Sequence, residues 1–230
     1  MIRENIFRIR EQITSACSKI NRDPTEIAIV AVTKNRSLAQ IKEAVDAGMY
    51  DIGENRVQEA AVKFKDLQPA ISDSQLRWHM VGHLQTNKVK EAVNMFVCIQ
   101  SVDSLRLAEE INKQAARIDK VQNIMLEVKT SPEATKFGLK PQEVLATVEG
   151  FTRLKNLKVL GLMTIAPWFD DAEQARPYFR QLRQLRGEIN SSSALGYRIS
   201  DLSMGMTDDF TVAIEEGSTM LRLGRAIFED

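Results

Sequence analysis

The sequence predicts an α/β protein folded as a single (β/α)8 TIM barrel across residues 1–230. Short apolar runs alternate with amphipathic helical stretches along the whole chain, the pattern of a parallel sheet assembled from βα units. Eight such runs are counted, all short and several rich in β-branched residues. No Pro/Ser/Gly-rich linker or low-complexity tract interrupts them, so 230 residues read as one domain. Eight strands closing in order make a barrel, and a doubly wound open sheet is the rival that periodicity alone does not distinguish.

Taken in order, a helix precedes the first run, 27–33, whose nearly continuous apolar sequence suits a parallel strand covered on both faces. The later runs are 50–53, 77–81, 96–101, 124–129, 159–165, 199–203 and 220–223. Helical stretches at 37–47, 56–66, 86–93, 104–118, 141–150, 171–189 and 207–216 separate them. Boundary chemistry agrees: Ser37, Asp103 and Thr207 are natural N-caps, Pro141 suits a first helical turn, and Gly48 follows a helix end.

Composition excludes several functions. The 31 basic and 31 acidic side chains cancel, leaving no field of one sign to attract nucleic acid or an anionic membrane. No apolar run approaches the roughly 20 residues that span a bilayer, and the N-terminal segment is charged and helical rather than signal-like. A soluble, cytoplasmic protein is expected. Cys17 and Cys98 sit in apolar surroundings without metal or disulfide spacing and read as buried, inert thiols. His79 and His83 fall on a strand running into a loop, which argues against a metal pair.

The chemistry concentrates at strand ends. Lys34 stands at the C-terminal end of the first strand, where α/β enzymes place reactive groups. Desolvation there, with Arg36 nearby, would free its amine for Schiff-base chemistry, although a lysine merely marking the strand end and snorkelling to water fits the same segment. The seventh strand ends as Ser203-Met204-Gly205-Met206-Thr207 and the eighth as Arg222-Leu223-Gly224-Arg225. Glycine turns after strands seven and eight are where barrels frequently hold phosphate, with Ser203 offering its hydroxyl and Gly224 and Arg225 their amides. Asp208 and Asp209 would repel such an anion, and plain βα turns account for the same glycines. Arg222 is the odd residue in an apolar strand and must find an acceptor, either a neutral heteroaromatic nitrogen or an acidic neighbour.

Together these segments resemble the pyridoxal phosphate homeostasis proteins, especially their cyanobacterial-type members. The likeness covers nearly the whole chain and rests on Ala31-Val32-Thr33-Lys34, Gly53-Glu54-Asn55, Trp78-His79-Met80-Val81-Gly82-His83-Leu84-Gln85-Thr86-Asn87-Lys88, Lys136-Phe137-Gly138-Leu139, Gly161-Leu162-Met163-Thr164-Ile165 and the two strand ends above. It implies an alanine-racemase-like barrel of the third pyridoxal phosphate (PLP) fold type. The implied cofactor site comprises Lys34 as the Schiff-base lysine, Asn55 near the ring, Arg222 facing the ring nitrogen, and Ser203, Met204, Gly205, Gly224 and Arg225 about the phosphate. The implied role is PLP binding in vitamin B6 homeostasis and amino- and keto-acid balance, with apo-enzymes receiving the cofactor as partners, no catalytic activity and a monomeric state. A racemase needs a second base, usually a tyrosine from an added domain. Here only residues 226–230 follow the Arg222-Leu223-Gly224-Arg225 strand end, and Tyr50, Tyr178 and Tyr197 are expected within barrel elements. A low-activity PLP-dependent racemase and a Schiff-base aldolase are the alternatives.

Overall fold

The computed structural model describes residues 1–67, 76–131, 133 and 136–229. Its strands are β1 (Ala28–Val32), β2 (Asp51–Glu54), β3 (Arg77–Met80), β4 (Cys98–Val102), β5 (Gln122–Glu127), β6 (Leu157–Met163), β7 (Asp201–Ser203) and β8 (Met220–Leu223). They close in sequence order into a barrel. Closure decides against the open sheet: β1 pairs in parallel with β8, setting Val30 beside Arg222, and with β2 on its other side, setting Val30 beside Asp51.

Helices α1 (Ile2–Lys19), α2 (Leu38–Asp46), α3 (Val57–Leu67), α4 (Val89–Met95), α5 (Leu105–Ala116), α6 (Pro141–Phe151), α7 (Arg176–Ser192), α8 (Phe210–Glu215) and α9 (Arg225–Phe228) surround the strands. Amphipathic spacing explains their docking. In α1, Ile2, Ile6, Ile9, Ile13 and Ala16 form one buried stripe, three or four residues apart, and the helix lies against α8 and α9.

Several boundaries differ from expectation. Ser37 does cap α2, in a reciprocal capping box with Gln40. Ser104, not Asp103, caps α5 by accepting from Leu107 N, because Asp103 is paired with His83 at 3.2 Å. Thr207 does not open α8. Residues 206–209 form a turn instead, closed by the Asp209 carboxylate accepting from Met206 N at 2.6 Å, and Thr207 Oγ1 accepts from Ala226 N at 3.2 Å. The stretch expected from 86 begins as a 3-10 turn at Thr86–Lys88, and that from 171 as another at Ala172–Ala175. The four-residue α9 escaped notice because one helical turn has no readable period. Only Tyr178 lies within an element, α7; Tyr50 precedes β2, and Tyr197 sits in the loop before β7, where its hydroxyl accepts from Val159 N.

The main core lies between strands and helices, while the barrel interior is divided. One part is a small apolar cluster of Cys98, Met125 and Met163 with Ile165 and Met220 against it. The rest is polar, as set out below. Both cysteines are buried free thiols, and burial pushes the Cys98 thiol up. Among the described residues no helix is long and apolar enough to cross a membrane.

Candidate functional site

At the C-terminal end of the strands a cavity of about 600 Å³ is lined by Lys34, Asn55, Arg222, Gly224 and Arg225, together with Val81, Gly82, Ile165, Trp168, Met206, Thr207 and Asp208. Its size lies in the range of small-ligand pockets. Five of the eight residues expected from sequence therefore share one wall-to-wall space.

Lys34 lies two residues beyond the end of its strand. β1 stops at Val32, and residues 33–36 make a tight turn in which Arg36 N donates to Thr33 O at 3.0 Å. Asn35, at φ 58°, takes the left-handed position of that turn, which asparagine tolerates. Lys34 is consequently exposed at the cavity rim rather than desolvated by the strand. Nor is Arg36 its neighbour by charge: that guanidinium pairs with Glu229 and stacks over Phe228 at 5.5 Å. The turn is held from behind by α3. Lys63 Nζ donates to Thr33 O at 2.5 Å, Glu54 Oε1 at 2.7 Å and Glu59 Oε1 at 2.6 Å, while Asn35 N donates to Glu59 Oε1 at 2.7 Å. Burial pushes the Glu54 carboxyl up, against the hydrogen bonds from Lys63 and Thr33 that favour its charge. Asn55 follows at the end of β2, and its backbone presses on Gly82, where a Cβ would stand 2.5 Å from Asn55 O. Only glycine admits that approach.

Arg222 is 4% exposed, and its binding partners are neutral. Nη1 donates to Ser203 Oγ at 2.6 Å and Nη2 to Thr164 O at 2.8 Å. Among the described residues it forms no ion pair; Asp209 and Glu127 act on it only at longer range, so the acidic-neighbour alternative gives way to neutral acceptors. Burial pushes the guanidinium down to about 10, which leaves it cationic at neutral pH. Glu127, inside the same end of the barrel, is raised to about 7 by burial, with Asp103 adding to the rise and Arg222 opposing it.

Ser203, Met204 and Gly205 lie beneath the cavity instead of lining it. The Ser203 hydroxyl is engaged twice, accepting from Arg222 and donating to Gln100 Oε1 at 2.6 Å. Gly205 has φ 96° and its Cβ position lies 2.7 Å from Ala213 Cβ, so glycine there serves the chain path and the packing of α8. Gly224 differs: a Cβ would meet Val32 O at an ordinary 3.5 Å. The two aspartates are accounted for, because Asp208 pairs with Arg225 and Asp209 closes its own turn.

Sequence reasoning missed Gln100 and Thr164 and set His79 aside. The available signal was the one that exposed Arg222, a polar side chain inside an otherwise apolar strand: β4 is buried throughout yet contains Gln100. His79 and His83 are not adjacent ligands. His79 bonds Asp51 and Gln100 inside the barrel, whereas His83 stacks on Phe137 with ring centroids 3.7 Å apart.

The alanine racemase N-terminal domain family matches residues 5–230 of this chain. A pyridoxal phosphate homeostasis protein of Aquifex aeolicus (strain VF5) is 40% identical over 225 residues, covering 98% of this chain and 96% of the relative. Its namesake in Synechocystis sp. is 37% identical over 207 residues, 90% of this chain and 93% of the relative. The solved structure of PipY from Synechococcus elongatus PCC7942 with PLP bound superposes with a TM-score of 0.88 at 35% identity, covering 99% of this chain and all of PipY. An alanine racemase of Clostridium difficile 630 shares the fold alone, with a TM-score of 0.70 at 16% identity over 98% of this chain and 56% of that enzyme. By fold, length and sequence alike, the chain belongs to the pyridoxal phosphate homeostasis proteins within the alanine racemase N-terminal domain family.

Proposed function

We propose that this chain binds pyridoxal 5′-phosphate in the cavity at the strand ends, attached to Lys34 as a Schiff base, and serves vitamin B6 homeostasis as a cytoplasmic, monomeric carrier to apo-enzymes rather than as a catalyst. One observation carries the reading: Arg222, a buried cation bonded only to neutral groups among the described residues, lines the same cavity as a lysine amine. Two of its donors are committed, and the guanidinium has five. A flat ring with an acceptor nitrogen fits that need.

When bound, the cofactor supplies an aldehyde and a ring that withdraws electrons. Lys34, whose amine borders the cavity, would hold that aldehyde as a Schiff base, with loss of water. Arg222 would donate to the ring nitrogen and, being cationic, would keep a proton off it, which would weaken electron withdrawal and suit storage over carbanion chemistry. The backbone amides of Gly224 and Arg225 would hold the phosphate, and Arg225 offsets the Asp208 charge at the same rim. Ser203, Met204 and Gly205 support this arrangement from below, and Asn55 borders the ring.

The tyrosines favour a carrier over a racemase. Tyr178 stacks on Phe169 in α7, Tyr50 lines a separate cavity at the other end of the barrel, and Tyr197 is engaged by Val159 N. The test is an absorbance spectrum of the protein with PLP, then borohydride reduction and peptide mapping. A visible or near-ultraviolet band lost in Lys34→Ala, with the reduced adduct on Lys34, is expected. A band that survives Lys34→Ala, or an adduct elsewhere, would overturn the attachment.

A further inference from the structure

A file of hydrogen bonds crosses the barrel from the cavity floor to its opposite end. Arg222 Nη1 donates to Ser203 Oγ at 2.6 Å, and Ser203 donates to Gln100 Oε1 at 2.6 Å. Gln100 Nε2 meets His79 Nδ1 at 3.1 Å, His79 Nε2 meets Asp51 Oδ1 at 2.9 Å, and Asp51 receives Arg77 at 2.7 Å and 2.6 Å. Ser203 and Gln100 have no exposure at all, and His79 has 5%.

With a neutral His79, the direction of this file is determined. Arginine only donates and an ionised carboxylate only accepts. Asp51 is such a carboxylate: burial pushes it up, but bonds from His79 and Arg77 outweigh burial and hold it at about 2. With Asp51 accepting, His79 carries its proton on Nε2 and presents Nδ1 as an acceptor. Gln100 must then turn its amide N–H toward His79 and its oxygen toward Ser203, an orientation Met220 Sδ favours by lying 3.0 Å from Nε2. Ser203 therefore spends its proton on Gln100 and offers its lone pair to Arg222. Reversing Gln100 would bring N–H against Ser203 and leave the serine proton without this acceptor.

We propose that Gln100 and His79 are positioning residues that fix Arg222, through Ser203, for contact with the cofactor ring. The proposal rests on the reading of the cavity as a PLP site. It assigns the buried polar interior a task that barrel stability does not require, since an apolar filling would pack the same space.

The test measures PLP affinity by titration, the absorbance maximum of bound PLP and the thermal midpoint in Gln100→Met, Gln100→Glu, His79→Leu, Arg222→Gln and the Gln100→Met/Arg222→Gln double variant. Gln100→Met is expected to weaken PLP about tenfold and displace the absorbance maximum, the scale of one buried hydrogen bond. Gln100→Glu, which keeps an acceptor for Ser203 but offers His79 no N–H, should recover affinity from the Gln100→Met level to about threefold below native, the loss also expected of His79→Leu. In the Arg222→Gln background, Gln100→Met should add less than about twofold. Native affinity and spectrum in Gln100→Met, or losses that multiply in the double variant, would overturn the relay. If Gln100→Met does not fold, native affinity and spectrum in His79→Leu would overturn it. PLP binding untouched by both Lys34→Ala and Arg222→Gln would instead overturn the cofactor reading itself.

Discussion

Glu127 and Arg222 face the same barrel interior, and the carboxylate gives the protein a measurable pH dependence. Burial raises Glu127 from 4.5 to about 7, so between those values the folded chain holds a proton that the unfolded chain has released. Its contribution to stability is present in full below pH ~4.5 and is lost as pH rises through about 7. Glu127→Gln, which cannot ionise, should therefore gain relative to the native chain by up to on the order of 3 kcal/mol between pH 4 and pH 9. Urea denaturation at both ends of that range checks it; a pH-independent difference would mean that Glu127 titrates as an ordinary carboxyl. At this scale the sequence disclosed Lys34 and Arg222, since each breaks an apolar run. It could not disclose the pairing of Gln100 with Ser203, 103 residues apart, or of Lys63 with the Thr33 carbonyl behind the lysine turn.

The turns after β7 and β8 carry glycines with different duties. Gly205 is left-handed and packed against Ala213, so Gly205→Ala should destabilise the fold by roughly 1–3 kcal/mol, read by chemical denaturation. Gly224 has room for a Cβ and lines the cavity, so Gly224→Ala should leave the denaturation midpoint nearly unchanged while weakening PLP about tenfold. Equal effects of the two substitutions on both measurements would contradict the distinction. Pattern reading located the turns but could not divide them, because a glycine required by chain path and one facing a cavity look alike in one dimension. Cap residues were ambiguous for a similar reason: Asp103 and Ser104 are equivalent in propensity, and the His83 side chain across the mouth takes the aspartate.

Across the whole molecule, ligand binding and folding are linked. PLP at about 100 times its dissociation constant should stabilise the native chain by about 2.7 kcal/mol and raise the thermal midpoint by roughly 5–10 °C. Lys34→Ala should show little of that rise in differential scanning calorimetry, and an undiminished shift would place the binding energy elsewhere. The barrel makes this coupling natural, because the cavity is assembled from residues that follow β1, β2, β3, β6, β7 and β8, together with Arg222 of β8. No single βα unit contains it.

The sequence by itself determined the alternation of strands and helices, the order of the eight strands along the chain and the polar residues set in or beside apolar runs, because these follow from local periodicity and from the break a polar group makes in such a run. Only the tertiary structure decided that β1 closes on β8, that Lys34 lies exposed on a turn, that Ser203 faces Arg222 and Gln100 rather than the cavity, and that a polar file links the two barrel ends. Those outcomes depend on contacts between residues far apart in the chain, and hydrogen-bond direction in a closed interior is set by all its members together.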